Sequence, residues 1–181
     1  MSILRLIVIF FIVILNFNIS VNAARTTNSY DGNIFPIYAG NGSIVPPQTN
    51  LDEALKNKRI SLLFFYLDDS SDSKALAPVI SGIDLIWKNN IDIIALTTDE
   101  IQNKTFKKNE AGYYWNGFIP QTVILDEKGT IKFDKNGSID IQEINKIIGE
   151  MKGIDIEDNL FSIESFNEYN STISKKSINP D

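Results

Sequence analysis

The sequence SLLFFYLDDSSDSKALAPVI, residues 61–80, decides the fold of this chain. The segment begins with a mostly apolar run, which also includes the preceding Ile60, as expected of a strand that is buried on both faces. A polar turn follows, and a helical pattern that contains Lys74 and Pro78 begins near Ser71. A strand, a turn and a helix in this order predict the beginning of an α/β domain.

Two serines stand at an informative spacing in the polar turn. Ser70 and Ser73 come just before Lys74. The arrangement resembles the active-site segment of thioredoxins, in which a C-x-x-C pair precedes a lysine and a proline follows. This chain has no cysteine. Because thiol-disulfide exchange needs a thiolate that attacks a sulfur, the sequence excludes a dithiol cycle of its own.

The chain also contains no histidine. This excludes Ser-His-Asp and Cys-His nucleophile systems, and zinc sites built from cysteine and histidine. The remaining carboxylates, lysines, serines and tyrosines form no recognised catalytic constellation. We therefore expect a protein that is not an enzyme and that has no cofactor and no metal site.

Composition narrows the class of protein further. The formal net charge is −6, which argues against a nucleic-acid partner, because phosphate binding requires a basic surface. A chain of 181 residues with 43% hydrophobic residues is sufficient for one domain of about 100 to 150 residues.

Gly40-Asn41-Gly42 lacks the third glycine and the lysine of a phosphate-binding loop, so we interpret it as a turn.

Residues 1–23 have the features of a secretory signal peptide. Arg5 supplies positive charge, Leu6–Leu15 is apolar, and Val21-Asn22-Ala23 offers a cleavage site. The apolar run is shorter than the about 20 residues that a membrane span needs, so we expect export followed by cleavage after Ala23. The alternative is an uncleaved anchor over residues 3–19. Both alternatives predict that the domain is delivered across a membrane.

The remaining sequence divides into three parts. Residues 24–49 are rich in Gly, Pro, Asn, Ser and Thr and are predicted to be an N-terminal extension. Residues 154–181 are predicted to be a polar, disordered C-terminal tail. Residues 50–153 carry the predicted elements: a helix over 51–58 capped by Asn50, a strand over 60–67, a helix over 71–88 kinked at Pro78, a strand over 91–97, a helical connection over 99–112, strands over 121–126 and 130–134, and a helix over 139–151.

The element order and a second motif extend the resemblance to thioredoxins. The order predicts an α/β, thioredoxin-like fold with a central mixed sheet and flanking helices. The segment Gly117-Phe118-Ile119-Pro120-Gln121-Thr122 is similar to the thioredoxin loop that carries a cis proline facing the active site. The resemblance implies that the Ile119–Pro120 bond is cis and that Pro120 lies against the Ser70 turn. Gln121 is an extra residue relative to that pattern.

A narrower resemblance rests on YLDDSSDSKALAPVIS, on YYWNGFIPQTVILDEKG and on the export signal. Together they resemble cyanobacterial thioredoxin-like thylakoid proteins that are described as photosystem I accumulation factors. The resemblance implies a location in the thylakoid membrane or lumen, membrane association, and a role in assembling photosystem I, with its subunits as partners. One alternative is an accessory protein related to thiol-disulfide oxidoreductases that acts with a redox partner in the lumen or periplasm. Another is a structural role in which both chain ends dock the domain on a membrane.

The binding surface is predicted to lie between the polar turn and the loop over residues 113–120, which we call the aromatic loop. Its candidate residues are Asp69, Asp72, Lys74, Trp115, Phe118, Ile119 and Pro120. Among Tyr113, Tyr114, Trp115 and Phe118, part of the set is expected to be exposed, because a short loop cannot bury four rings on one side. Exposed aromatic side chains of this kind indicate a binding patch.

The polar side chains of the turn have simpler roles in this prediction. We expect Ser70 and Ser73 to accept hydrogen bonds from amides at the helix start rather than to act as nucleophiles, and Lys74 to project into solvent. Aspartates at a helix start are favoured by the helix dipole. Calcium binding by Asp68, Asp69 and Asp72 is a weaker alternative, because the spacing lacks the glycine and the distal glutamate of an EF-hand loop.

Overall fold

A computed structural model describes residues 25–154 of the chain. The predicted signal peptide and all but the first residue of the predicted tail lie outside the described residues. No helix within residues 25–154 is both long enough and apolar enough to cross a bilayer. The described elements are α1 (Ile34–Ala39), α2 (Leu51–Lys56), β1 (Ile60–Tyr66), α3 (Ser71–Trp87), β2 (Ile91–Thr97), β3 (Gln121–Leu125), β4 (Ile131–Asn136) and α4 (Ile141–Lys152).

The four strands form one mixed sheet in the order β2-β1-β3-β4. β1 and β2 are parallel and are joined through α3, while β3 runs antiparallel to both β1 and β4. A parallel pair joined by a helix, followed by an antiparallel hairpin and a closing helix, is the thioredoxin-like fold that the element order predicts. The C-terminal end of β1 therefore lies beside the N-terminal end of β3, where Phe65 is paired with Gln121.

The sheet separates two hydrophobic cores because successive side chains of a strand point to opposite faces. In β1, Leu62 and Phe64 belong to the core that contains α1, α3 and α4. Leu63 and Phe65 belong to the other core, which contains Leu51 of α2 and the connection between β2 and β3. All seven residues of β1 are buried, as expected of a central strand that is covered on both faces.

One predicted element is wrong. The connection over residues 99–112 is not a helix: it contains only short 3₁₀ turns at Thr98–Glu100 and Ala111–Tyr114, with bends and irregular chain between them. Its apolar anchors, Ile101 and Phe106, are five positions apart in the sequence. On an α-helix they would point about 140° apart, so they could not both face the sheet. The turns allow both side chains to reach the same core.

The segment predicted as an extension packs into the larger core. Ile34 and Phe35 of α1 are fully buried. The ring of Phe35 makes edge contacts with Phe64 and Tyr66 of β1, at centroid distances of 6.1 and 5.6 Å. α1 also packs against α3. Residues before α2 therefore help to bury the central strand.

Phe35→Ala is expected to lower the free energy of unfolding by about 3–5 kcal/mol, because the substitution leaves a cavity against β1. Ile37 provides a matched control, because it lies in the same helix but is 42% exposed. We expect Ile37→Ala to cost less than about 1 kcal/mol. Urea unfolding followed by circular dichroism measures both. Equal effects would mean that α1 does not belong to the cooperative core.

Candidate binding face

The two serines of the turn between β1 and α3 have structural roles. Ser70 is the N-cap of α3, and its Oγ accepts a hydrogen bond from the amide of Ser73 at 3.3 Å. Ser73 is fully buried, and its Oγ accepts a hydrogen bond from the amide of Leu67, also at 3.3 Å. Ser70 thus caps the helix start, which confirms the prediction for that residue, whereas Ser73 binds an amide that lies before the turn rather than at the helix start.

Lys74 is fully buried, so the prediction that it projects into solvent is wrong. Its Nζ lies 2.7 Å from Oδ2 of Asp31. The same ammonium group donates hydrogen bonds to the carbonyl oxygen of Thr27, at 3.1 Å, and to that of Ser29. A buried charge needs such a set of partners. Lys74 is therefore not accessible to a partner protein, and its place in the predicted binding surface is wrong.

The partners of Lys74 belong to residues 25–33, which we call the N-terminal strap. The strap crosses the first turns of α3 and makes polar contacts along them. Oδ1 of Asn28 accepts a hydrogen bond from the amide of Ser71 at 2.9 Å, and Nη2 of Arg25 donates to the carbonyl oxygen of Ala75 at 3.0 Å. The strap thus shields the side of α3 that carries Lys74.

Electrostatics reinforce the ion pair. The hydrogen bond from Lys74, and then that from Tyr38 at 2.6 Å, hold the pKa of Asp31 below its ordinary value. Burial acts to lower the pKa of Lys74, but the hydrogen bond and charge of Asp31 outweigh it, and the net pKa is raised. Both groups are therefore charged at neutral pH.

The pKa of Asp68, at the start of the turn, is shifted in the opposite direction to that of Asp31. Burial raises the pKa of its carboxyl group, although its Oδ1 accepts a hydrogen bond from the amide of Ile34 at 3.1 Å. The negative charges of Asp69 and Asp99 raise it further.

The Ile119–Pro120 bond is cis, which confirms the prediction. Pro120 is buried directly before β3. Since Gln121 is paired with Phe65, the register places Pro120 at the end of β1 where the Ser70 turn begins. A second cis bond, Val45–Pro46, was not predicted.

The aromatic loop exposes part of its rings, as predicted. Phe118 is 67% exposed and Tyr113 is 52% exposed. Tyr114 is buried, and Trp115 is half-buried against the second core. The indole nitrogen of Trp115 donates a hydrogen bond to the carbonyl oxygen of Phe118 at 3.1 Å. Phe118 is therefore the ring that this loop presents most fully to solvent.

Gln121 anchors the aromatic loop, a role that sequence reasoning missed. Its side chain is fully buried. Its Nε2 donates to the carbonyl oxygen of Tyr114 at 3.0 Å and to Oδ1 of Asp134 at 2.7 Å, and its Oε1 accepts from the amide of Asn116 at 2.9 Å. The available signal was an amide side chain at the first position of a strand that is otherwise apolar apart from Thr122. In the comparison with the thioredoxin pattern, Gln121 is only an extra residue.

Only some residues of the predicted binding surface are thus exposed to solvent. The exposed candidates are Asp69, Asp72 and Phe118; the half-buried ones are Trp115 and Ile119; the buried ones are Lys74 and Pro120. The polar turn and the aromatic loop do lie at the same end of the sheet. Within residues 25–154, no three metal-ligating side chains come together as a cation site would require.

Comparison with known proteins places the chain in a family. No family model matches it. Thylakoid membrane protein slr1796 of Synechocystis is 38% identical to it over 83% of this chain and 77% of its own length. This chain belongs to the slr1796 family. Among solved structures, a thioredoxin-fold protein from Helicobacter pylori matches with a TM-score of 0.41 and 13% identity, covering 82% of this chain and 96% of that protein. The fold assignment of this slr1796 relative rests on its own sheet order and crossover helix.

Asp31→Asn is expected to destabilise the protein at pH 7 and to have a smaller effect at pH 3. The folded-state pKa of Asp31 is lowered, so its carboxylate contributes stability above its unfolded-state pKa of about 3.9 and loses it as the pH falls through the folded value. Urea midpoints at both pH values measure the effect. An equal loss of stability at pH 7 and pH 3 would contradict the role of the ion pair.

Asp68→Asn is the matched control for Asp31→Asn, and it is expected to change the stability at pH 7 in the opposite direction. The folded-state pKa of Asp68 is raised, so its ionised form opposes folding at neutral pH. The asparagine can still accept the hydrogen bond from Ile34. We expect this variant to be slightly more stable than the parent at pH 7. The gain should shrink as the pH falls through the raised pKa and disappear below the unfolded-state pKa of about 3.9.

Gln121→Leu is expected to cost about 1–3 kcal/mol of stability, because it leaves buried partners without their hydrogen bonds. It should also speed hydrogen exchange of the Asn116 amide, which donates to Gln121. Gln142→Leu, an exposed change in α4, is the control and should alter neither quantity. An unchanged exchange rate at Asn116 in the Gln121 variant would show that another contact holds the loop.

Proposed function

We propose that this protein is a redox-inactive, thioredoxin-like binding protein of the thylakoid that assists the assembly or accumulation of photosystem I. One observation carries the proposal. An exposed aromatic ring, Phe118, lies two residues before the cis Pro120, while the positions of the redox pair hold Ser70 and Ser73, whose hydroxyl groups accept hydrogen bonds from backbone amides.

The chemistry of the turn favours binding over catalysis. The hydroxyl groups of Ser70 and Ser73 accept hydrogen bonds from backbone amides. Lys74, the nearest basic side chain, is held as a charged partner of Asp31, so it does not serve as a base for either serine. A solvent-exposed ring on an anchored loop is the type of side chain that anchors protein interfaces.

Location and partner come from similarity and from the sequence. The relative slr1796 is named a thylakoid membrane protein. The export signal predicted in residues 1–23 is consistent with membrane association or with the lumen. Photosystem I subunits as partners follow from the family resemblance of the sequence. The proposal includes no enzymatic activity, no cofactor and no nucleic acid.

Phe118→Ala tests the proposal. Photosystem I subunits should co-purify with the tagged full chain from solubilised thylakoids, and the substitution should reduce their recovery by about fivefold, because it removes a contact worth about 1 kcal/mol. Photosystem I abundance in the cells should fall as well. Ile131→Ala is the matched control, since Ile131 is 49% exposed on β4. Trp115 and Pro120 are less suitable, because their substitution also disturbs packing.

Two outcomes would overturn the proposal. One is equal recovery of photosystem I subunits with Phe118→Ala and with the parent. The other is loss of recovery in a folded Ser70→Ala/Ser73→Ala double variant, since that would assign the function to the hydroxyl groups. The redox alternative stays a prediction of its own, and appreciable insulin reduction by the purified chain would favour it.

A further inference from the structure

Exposed carboxylates gather at the end of the sheet that carries the Ser70 turn. Asp69 and Asp72 follow β1, while Asp99 and Glu100 follow β2. The two strands are parallel, and Tyr66 is paired with Thr97, so the segments after them leave the sheet side by side. Burial raises the pKa of Tyr66 and of Asp68; the charges of Asp68 and Glu100 raise that of Tyr66 further, and those of Asp69 and Asp99 raise that of Asp68 further. By their positions after two neighbouring strand ends, the four exposed carboxylates make one negative region.

No ion pair neutralises this negative region: within residues 25–154, none of the ion pairs includes any of the four carboxylates. Arg25 of the strap donates to the carbonyl oxygen of Ala75, and Lys104 follows Glu100 by four residues, but neither basic group is in one of these ion pairs. Residues 67–73, 98–100 and 116–120 contain no lysine or arginine. Lys74, the next residue along α3, is buried and paired with Asp31 of the strap. The burial of Lys74 therefore leaves the surface acidic.

Two exposed aromatic rings lie at the same end of the sheet. Phe118 precedes Pro120 and is 67% exposed. Tyr30 is 74% exposed and belongs to the strap, next to Asp31, which is bound to Lys74 in the first turn of α3. Aromatic rings attract cations over their faces and also bury apolar surface. Carboxylates next to such rings are complementary to a group that is both cationic and apolar.

We infer that the partner segment of this face is a cationic stretch of polypeptide in which lysine or arginine side chains stand next to apolar ones. The inference rests on the proposed function, because it concerns the same face, and it names the chemistry of the partner. The apolar side chains pack on Tyr30 and Phe118. The basic side chains lie over Asp69, Asp72, Asp99 and Glu100.

Three labelled peptides of equal length test this inference, with leucine alternating with lysine, with glutamate or with serine. Fluorescence anisotropy measures their binding to the purified full chain in neutral detergent, with detergent alone as the blank. The lysine peptide should bind at least about tenfold more tightly than the other two, because opposite charge adds to the shared apolar contacts. Its affinity should fall as salt rises from about 50 to about 200 mM, because exposed charges are screened.

Variants assign the binding to this face. Asp69→Asn/Asp72→Asn and Phe118→Ala should each weaken binding of the lysine peptide by about fivefold. Glu143→Gln/Glu150→Gln is the control, because it removes the same number of exposed carboxylates from α4. It should leave binding nearly unchanged.

Several outcomes overturn the inference. They are equal binding of the three peptides, no binding of the lysine peptide, and equal weakening by the α4 control pair. Equal binding that still depends on Phe118 would overturn the cationic preference and leave the proposed function standing. Selective binding of the lysine peptide, with photosystem I recovery independent of Phe118, would support the inference and overturn the proposed function.

Discussion

The buried ion pair between Lys74 and Asp31 is the constraint on which much of this structure depends. An ammonium group in the interior must be paired and fully hydrogen-bonded, since an unpaired charge is strongly unfavourable there. Lys74 therefore requires the carbonyl oxygens of Thr27 and Ser29 as well as the Asp31 carboxylate. Once the strap is held along α3, α1 begins directly after it and Phe35 packs against β1. A polar requirement at one side chain thus helps to position apolar residues of the core.

The same ion pair shapes the surface. The sequence predicts that Lys74, which follows Asp72 by two residues, projects into solvent. In the fold its charge is neutralised inward by Asp31, so the carboxylates of Asp69 and Asp72 face solvent without it. The serines of the turn are also directed to backbone amides. What this end of the sheet offers outward is negative charge and aromatic surface rather than a reactive group.

Much of the architecture could be predicted from local patterns. The apolar run from Ile60, the three- and four-residue spacing of apolar side chains in α3 and the turn before β4 each identify an element on their own, and their order identifies the fold. The connection after β2 could not be predicted in this way. Its anchors Ile101 and Phe106 do not share a helical face, and only the position of the core shows why the chain turns there. For the site, the cis Pro120 and the exposed Phe118 followed from a loop motif, whereas the strap and Gln121 did not.

Local sequence was sufficient to predict the order of elements, the capping of α3 by Ser70 and the exclusion of thiol chemistry, because each depends on residue type or on neighbours a few positions apart. The cis bond at Pro120 was implied by the resemblance to thioredoxins. The burial of Lys74 and the anchoring of the aromatic loop by the hydrogen bonds of Gln121 became evident only from the tertiary structure. Lys74 and Asp31 are 43 positions apart, and the partners of Gln121 include Asp134 across the sheet. No local pattern encodes such contacts, because they exist only after the sheet and α3 have brought distant segments together.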